Sequence, residues 1–77
     1  MKKLWGIRMK ILIEGVNTNN IDNLDWCLGF AGLAQMSQVL SDTKRQINFN
    51  VNDILSEDLG DMALELYKYN FTFTITK

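Results

Sequence analysis

The chain has 77 residues, 47% of them hydrophobic and 10% aromatic, with eight basic against nine acidic side chains and a net charge of -1. That length and composition predict a single compact domain over residues 1–77, with no room for a second. The charge balance lacks the basic excess that phosphate contacts need, so nucleic acid is not an expected partner.

The opening "MKKLWGIRMKILIEG" begins like a secretory signal at Lys2 and Lys3, but Arg8 and Lys10 interrupt the apolar segment such a signal requires. No run approaches the roughly 18 apolar residues of a membrane span. The expectation is a cytoplasmic protein without a membrane partner, and Met9, followed by "KILIEG", reads as an alternative start. Trp5, Ile7, Met9, Ile11 and Ile13 are apolar, while the intervening positions include Arg8, Lys10 and Glu14. This period of two predicts a strand with one buried face. Unbroken from Leu4 to Val16 it would span roughly 43 Å, far beyond the usual strand. Either Gly6 marks a bulge, or the first residues reach another subunit.

"NTNNID", residues 17–22, is a turn cluster leading into a helix, with Asn20 or Asp22 placed to cap it. The helix is predicted from about Asp22 to Ser41, closing near Lys44 and Arg45. On it Leu24, Leu28, Ala31 and Val39 occupy one side and Trp26, Phe30, Leu33 and Leu40 nearly the opposite one. A helix that covers one sheet face should not be apolar twice. The second side therefore predicts an oligomer interface of Trp26, Gly29, Phe30, Gly32, Leu33 and Leu40, the glycines allowing another backbone to come close. The alternatives are that the monomer buries this side, or that Gly29 and Gly32 break the helix into pieces.

"INFNVN", residues 47–52, and "FTFTIT", residues 71–76, alternate strictly and predict two more strands, with Ile47, Phe49, Val51, Phe71, Phe73 and Ile75 inward. Their polar side, with that of the first strand, forms an uncovered face of Arg8, Lys10, Asn48, Asn50, Asn52, Thr72, Thr74 and Thr76. Such a face could receive a partner or a small polar ligand, but it lacks the aromatic platforms on which bases stack. Between these strands "SEDLGDMALELYK" predicts a helix capped by Ser56, with Leu59, Met62, Ala63 and Leu66 as its apolar stripe. The predicted fold class is α+β, a two-layer β-α-β-α-β domain with a three-stranded sheet and both helices on one face.

Charge is segregated along the chain: Lys2, Lys3, Arg8 and Lys10 open it, whereas residues 53–65 hold Asp53, Glu57, Asp58, Asp61 and Glu65 with no base. Glu57, Asp61 and Glu65 recur every four residues, so with Asp58 they form an acidic ridge that could dock on a basic surface; an ordinary solvated helix face is the alternative. The "EGVNTNN" loop enters a helix N-terminus, a weak anion signal in the field of Asp22 and Asp25. With no histidine and Cys27 the lone cysteine, there is no zinc ligand set, no internal disulfide and no usual general base. No catalytic residue, metal or cofactor is expected, and Cys27 reads as a core thiol.

A chain this small buries only about 60% of its unfolded surface and usually needs a further source of stability. Self-association, a dimer being the simplest form, is the predicted one. The expected function is a non-catalytic oligomeric inhibitor or adaptor that occludes a site on a larger protein, of the sort phages and mobile elements encode in short acidic chains. That last step is an analogy of size and charge. Two alternatives stand beside it: an oligomer sequestering a small polar or anionic ligand, and a structural or assembly subunit.

Overall fold

The alternation around Ile11 and Ile13 forms a strand, β1 (Arg8–Glu14), in which both isoleucines are fully buried while Arg8 and Lys10 are exposed. The computed structural model describes residues 7–77, so the readings on Lys2, Lys3, Leu4, Trp5 and Gly6 lie outside the described residues. The strand ends at Glu14, short of the over-long span to Val16, where Gly15 turns to φ 84, a conformation that a side chain would disfavour.

The first helix differs most from expectation. It is short, α1 (Ile21–Gly29), and buries Leu24, Cys27 and Leu28. The chain continues in tight turns until Gly32, at φ 68, reverses it. There Leu33 N–H donates to the Leu28 carbonyl at 3.0 Å and Gly32 N–H to the Gly29 carbonyl at 3.1 Å. This pair of bonds is the Schellman closure, completed by apolar contact between the residues flanking it, here Leu28 and Leu33, both in the core. Beyond it lie a short 3-10 turn (Ala34–Met36) and a strand, β2 (Ser37–Ser41), in place of the predicted helical half. No helix runs from Asp22 to Ser41, and the two-sided apolar pattern came from reading a helix and a strand at one period.

β2 turns back into β3 (Lys44–Asn50), which buries Ile47 and Phe49. The predicted strand ends short: Val51, Asn52 and Asp53 form a 3-10 turn in which the Asn50 side chain accepts from Asn52 N–H at 3.0 Å. The second helix, α2 (Ser56–Lys68), lies where its pattern placed it, with Met62 and Leu66 buried and Leu59 and Ala63 partly so. Ser56 is its first helical residue; Leu55 occupies the cap position, and no side chain caps it. It ends as α1 does: Asn70 takes φ 64, Phe71 N–H reaches the Leu66 carbonyl at 3.0 Å and Asn70 N–H the Tyr67 carbonyl at 3.0 Å. Asn is the residue besides Gly that most readily accepts this conformation. Phe71 leads into β4 (Thr72–Thr76).

The sheet therefore has four strands, not three, in the order β2-β3-β1-β4, every neighbouring pair antiparallel. β1-α1-β2-β3-α2-β4 in that order is the split β-α-β connectivity of ferredoxin-like domains, a topology that hosts many unrelated functions. Ile11, Ile13, Ile47 and Phe49 of the sheet join Leu24, Cys27 and Leu28 of α1, Met62 and Leu66 of α2, and Val16, Leu33 and Phe71 of the connections in one core. The domain is α+β with two helices over an antiparallel sheet, and among the described residues nothing covers its opposite sheet face.

Candidate functional site

The six residues predicted as one interface do not share a surface. Leu33 is buried at 2% exposure inside the closure of α1, and Leu40, half exposed, belongs to β2. Gly32 forms the reversal and Gly29 ends α1. Trp26 and Phe30, 58% and 39% exposed, stand one helical turn apart on the outer side of α1 with the exposed Gly29 beside them. Their rings meet edge to face with centroids 5.3 Å apart and planes at 89°.

The far end of Trp26 is fixed by α2. Its Nε1 donates to Glu65 Oε1 at 3.3 Å, while Lys68 Nζ donates to Glu65 Oε2 at 2.9 Å. The Glu65 side chain is only 14% exposed. Its carboxyl is held below the usual range, first by the Lys68 hydrogen bond and then by that of Trp26, and Lys68 is raised in return. The predicted ridge of Glu57, Asp58, Asp61 and Glu65 is thus divided. Glu57 and Asp61 are exposed, Asp58 is partly covered, and Glu65 is turned aside to hold the tryptophan. With Asp22 and Asp25 exposed on α1, the helical layer presents an aromatic pair among carboxylates.

Cys27 lies beneath this surface with no exposure. Burial, reinforced by the negative charge of Glu65, raises its thiol pKa from 9.0 to about 11. A thiol whose folded value exceeds its unfolded one contributes stability that is complete below the unfolded value and lost as pH rises through the folded one. The expected result is no reaction of the native protein with a thiol reagent at neutral pH beyond the rate of local opening. Urea midpoints should also decline between about pH 9 and pH 11 in the native chain more than in Cys27→Ala. Rapid stoichiometric labelling of folded protein would place the sulfur at the surface.

The opposite, uncovered sheet face is ordered by strand register. Arg8 stands opposite Asn50; Lys10 lies between Asn48 and Thr76; Leu12 lies between Gln46 and Thr74; Glu14 lies between Lys44 and Thr72. Asn52, predicted on this face, sits in the turn after β3. Leu12 and Gln46 near the centre and the Lys44–Glu14 ion pair at 3.7 Å were missed, because the sequence reading took only the cleanest alternating positions. Arg8 and Lys10 make the sheet face basic where the helical layer is acidic.

At one end of the sheet a cleft of about 560 Å³ opens between the β1–α1 loop (Val16, Asn17, Thr18), Ile21, Val39, the β2–β3 turn (Asp42, Thr43) and Arg45 of β3. Asn17 and Asn20 shape the loop: Asn17 Oδ1 accepts from Asn19 N–H at 2.8 Å, and Asn20 Nδ2 donates to the Gly15 carbonyl at 2.9 Å. Asn20 precedes α1 without capping it. Arg45 Nη1 donates to the Ser41 and Lys44 carbonyls at 2.8 and 3.0 Å, which holds the guanidinium against the turn. The contribution of β2 to this cleft escaped sequence reading along with the strand itself.

Among the described residues no three of Cys, Asp or Glu are gathered as a metal site, and no helix is long and apolar enough to cross a membrane. Compared with known proteins, the chain matches no protein-family model, no curated protein and no solved structure.

Proposed function

We propose that this protein works by binding, as a non-catalytic inhibitor or adaptor whose helical layer docks on a basic surface of a larger protein. The observation that carries the reading is Trp26, 58% exposed yet held at both ends, by Phe30 and by Glu65. Binding hot spots are enriched in tryptophan, and an anchor held in place beforehand loses less entropy on docking. Asp22 and Asp25 on the same helix and the exposed Glu57 and Asp61 of α2 supply acidic charge on the helical layer that would steer a positively charged partner. The cytoplasm is the proposed location.

The expected result is that tagged native protein captures a partner from cell extract at low salt, that Trp26→Ala loses it, and that Asp61→Lys weakens capture chiefly by slowing association. Both variants should keep the native circular dichroism, since neither residue is in the core. Undiminished capture by folded Trp26→Ala would remove the helical layer as the docking surface.

A second reading rests on the cleft, whose volume suits a small polar or anionic ligand near Arg45. It expects ligand-dependent melting that Arg45→Ala abolishes and Trp26→Ala leaves intact. A structural or assembly subunit would instead show a fixed large oligomer with neither response.

A further inference from the structure

The two edges of the sheet are unequally protected. β2 is irregular, its register with β3 shifting between Val39 and Ser41, and it is followed by Asp42, Lys44 and Arg45. Short strands, bulges and nearby charge are the ordinary means by which an edge avoids pairing with another chain. β4, five residues long as β2 is and followed by Lys77, has no bulge and no charge within the strand. It pairs with β1 without a break from Thr72 to Thr76, and no charge occurs between Lys68 and Lys77. Among the described residues its outer side pairs with nothing.

The strand is also complementary to itself. A two-fold axis through Thr74 would set Thr72 opposite Thr76, Phe73 opposite Ile75 and Thr74 opposite its own copy. Apolar side chains would meet on the core face and threonines on the outer face, and both kinds of cross-strand pair are favourable. Ile75 is 38% exposed and Phe73 partly buried, so both have surface left to cover.

The helix above this edge supplies a second, separate observation. Glu65 marks the side of α2 that faces α1, through its bond to Trp26. At 100° per residue Ser56, Gly60, Ala63 and Tyr67 fall on the opposite side, with Leu64 next to them. That is the side of β4, since α2 packs against β4 at the end of the sheet order. The stripe carries no charge, although α2 has acids on its other faces. Tyr67 is 75% and Leu64 56% exposed, and among the described residues no neighbouring part of the fold lies within 4 Å of where a side chain at Gly60 would begin. A mid-helix glycine costs about 1 kcal/mol relative to alanine, and at this position it lets another backbone approach.

We infer that a second copy of this chain occupies this edge: β4 pairs antiparallel with its own copy about Thr74, making one eight-stranded sheet, and the two α2 helices pack across the axis through Gly60, Leu64 and Tyr67. The contact is isologous and closes as a dimer. A stable interface needs about 800 Å² from each partner, more than a five-residue strand edge provides, and the α2 stripe extends the contact. Trp26 and Phe30 stay exposed in this dimer, so it is independent of the proposed docking surface and would present that surface twice.

Sedimentation equilibrium over a concentration series, at low and high salt, is the test. The native chain should dimerise without salt sensitivity. Tyr67→Glu and Ile75→Lys, both at exposed positions, should keep the native circular dichroism and raise the dimer dissociation constant by at least about tenfold. Thr74→Cys should form a covalent dimer of folded protein under mild oxidation, Cys27 being buried. A native chain that is monomeric up to submillimolar concentration would overturn the inference. So would a dimer that survives both substitutions, or one that dissociates in salt, which would point to contact between the basic sheet face and the acidic helices. Failure of Thr74→Cys to cross-link in a dimeric chain would overturn the edge pairing itself.

Discussion

Leu33→Asp is expected to leave the chain unfolded at neutral pH and 25 °C. Leu33 is 2% exposed and packs in the core against the turn it closes. Replacing it removes about 1.5–3 kcal/mol of apolar burial and puts a carboxylate where an unpaired charge costs several kcal/mol more. A domain of 77 residues has roughly 4–12 kcal/mol of stability at the usual 0.05–0.15 kcal/mol per residue, so the loss is of the same size as the total. Stability should partly return at low pH, because a carboxyl with a raised folded pKa destabilises only where it would be ionised. Leu40→Asp is the control. At a half-exposed position outside the core cluster it should cost less than about 1 kcal/mol. Circular dichroism and a urea titration read both. A folded Leu33→Asp chain with native stability would mean that Leu33 faces outward, as a continuous helix to Ser41 would have it.

Leu66→Ala is expected to cost about 2–5 kcal/mol, read as a lower urea midpoint. The residue has no exposure, and it packs in the core while its carbonyl accepts Phe71 N–H at 3.0 Å to close α2. Deleting the side chain leaves a cavity under α2 and weakens the contact that fixes the entry of β4. Leu64→Ala, two residues earlier and 56% exposed, should change monomer stability by no more than about 0.5 kcal/mol. Equal costs at the two positions would mean that the buried face of α2 is misassigned.

β1, β3, β4 and α2 were legible because their side chains repeat with the period of the element: Ile11 and Ile13, Ile47 and Phe49, Phe73 and Ile75, Met62 and Leu66. The end of α1 was legible too, but a break at Gly29 and Gly32 stood only as an alternative to the continuous helix. Leu28 followed by Gly32 and Leu33 has the same spacing as Leu66 followed by Asn70 and Phe71, and both are Schellman closures with their apolar partners in place. Treating Gly32 as a small residue inside a helix turned Leu33 from a core residue into an interface residue and Leu40 into its neighbour. β2 carried no comparable signal. "SQVLS" neither alternates nor holds a helical stripe, and it is a strand because β3 presents a ladder to it.

The sequence by itself determined the α+β class, the alternating strand faces and the α2 stripe that joined the core, and the separation of basic and acidic residues, because these depend on local period and composition. Tertiary structure alone decided that Glu65 leaves the acidic ridge to hold Trp26, 39 residues away, that the β2–β3 turn meets the β1–α1 loop across a cleft, and that β4 rather than β2 is the regular edge. The physical reason is common to the three: each rests on partners distant in sequence, whose pairing is set by hydrogen bonding and burial over the whole domain and leaves no period in the chain.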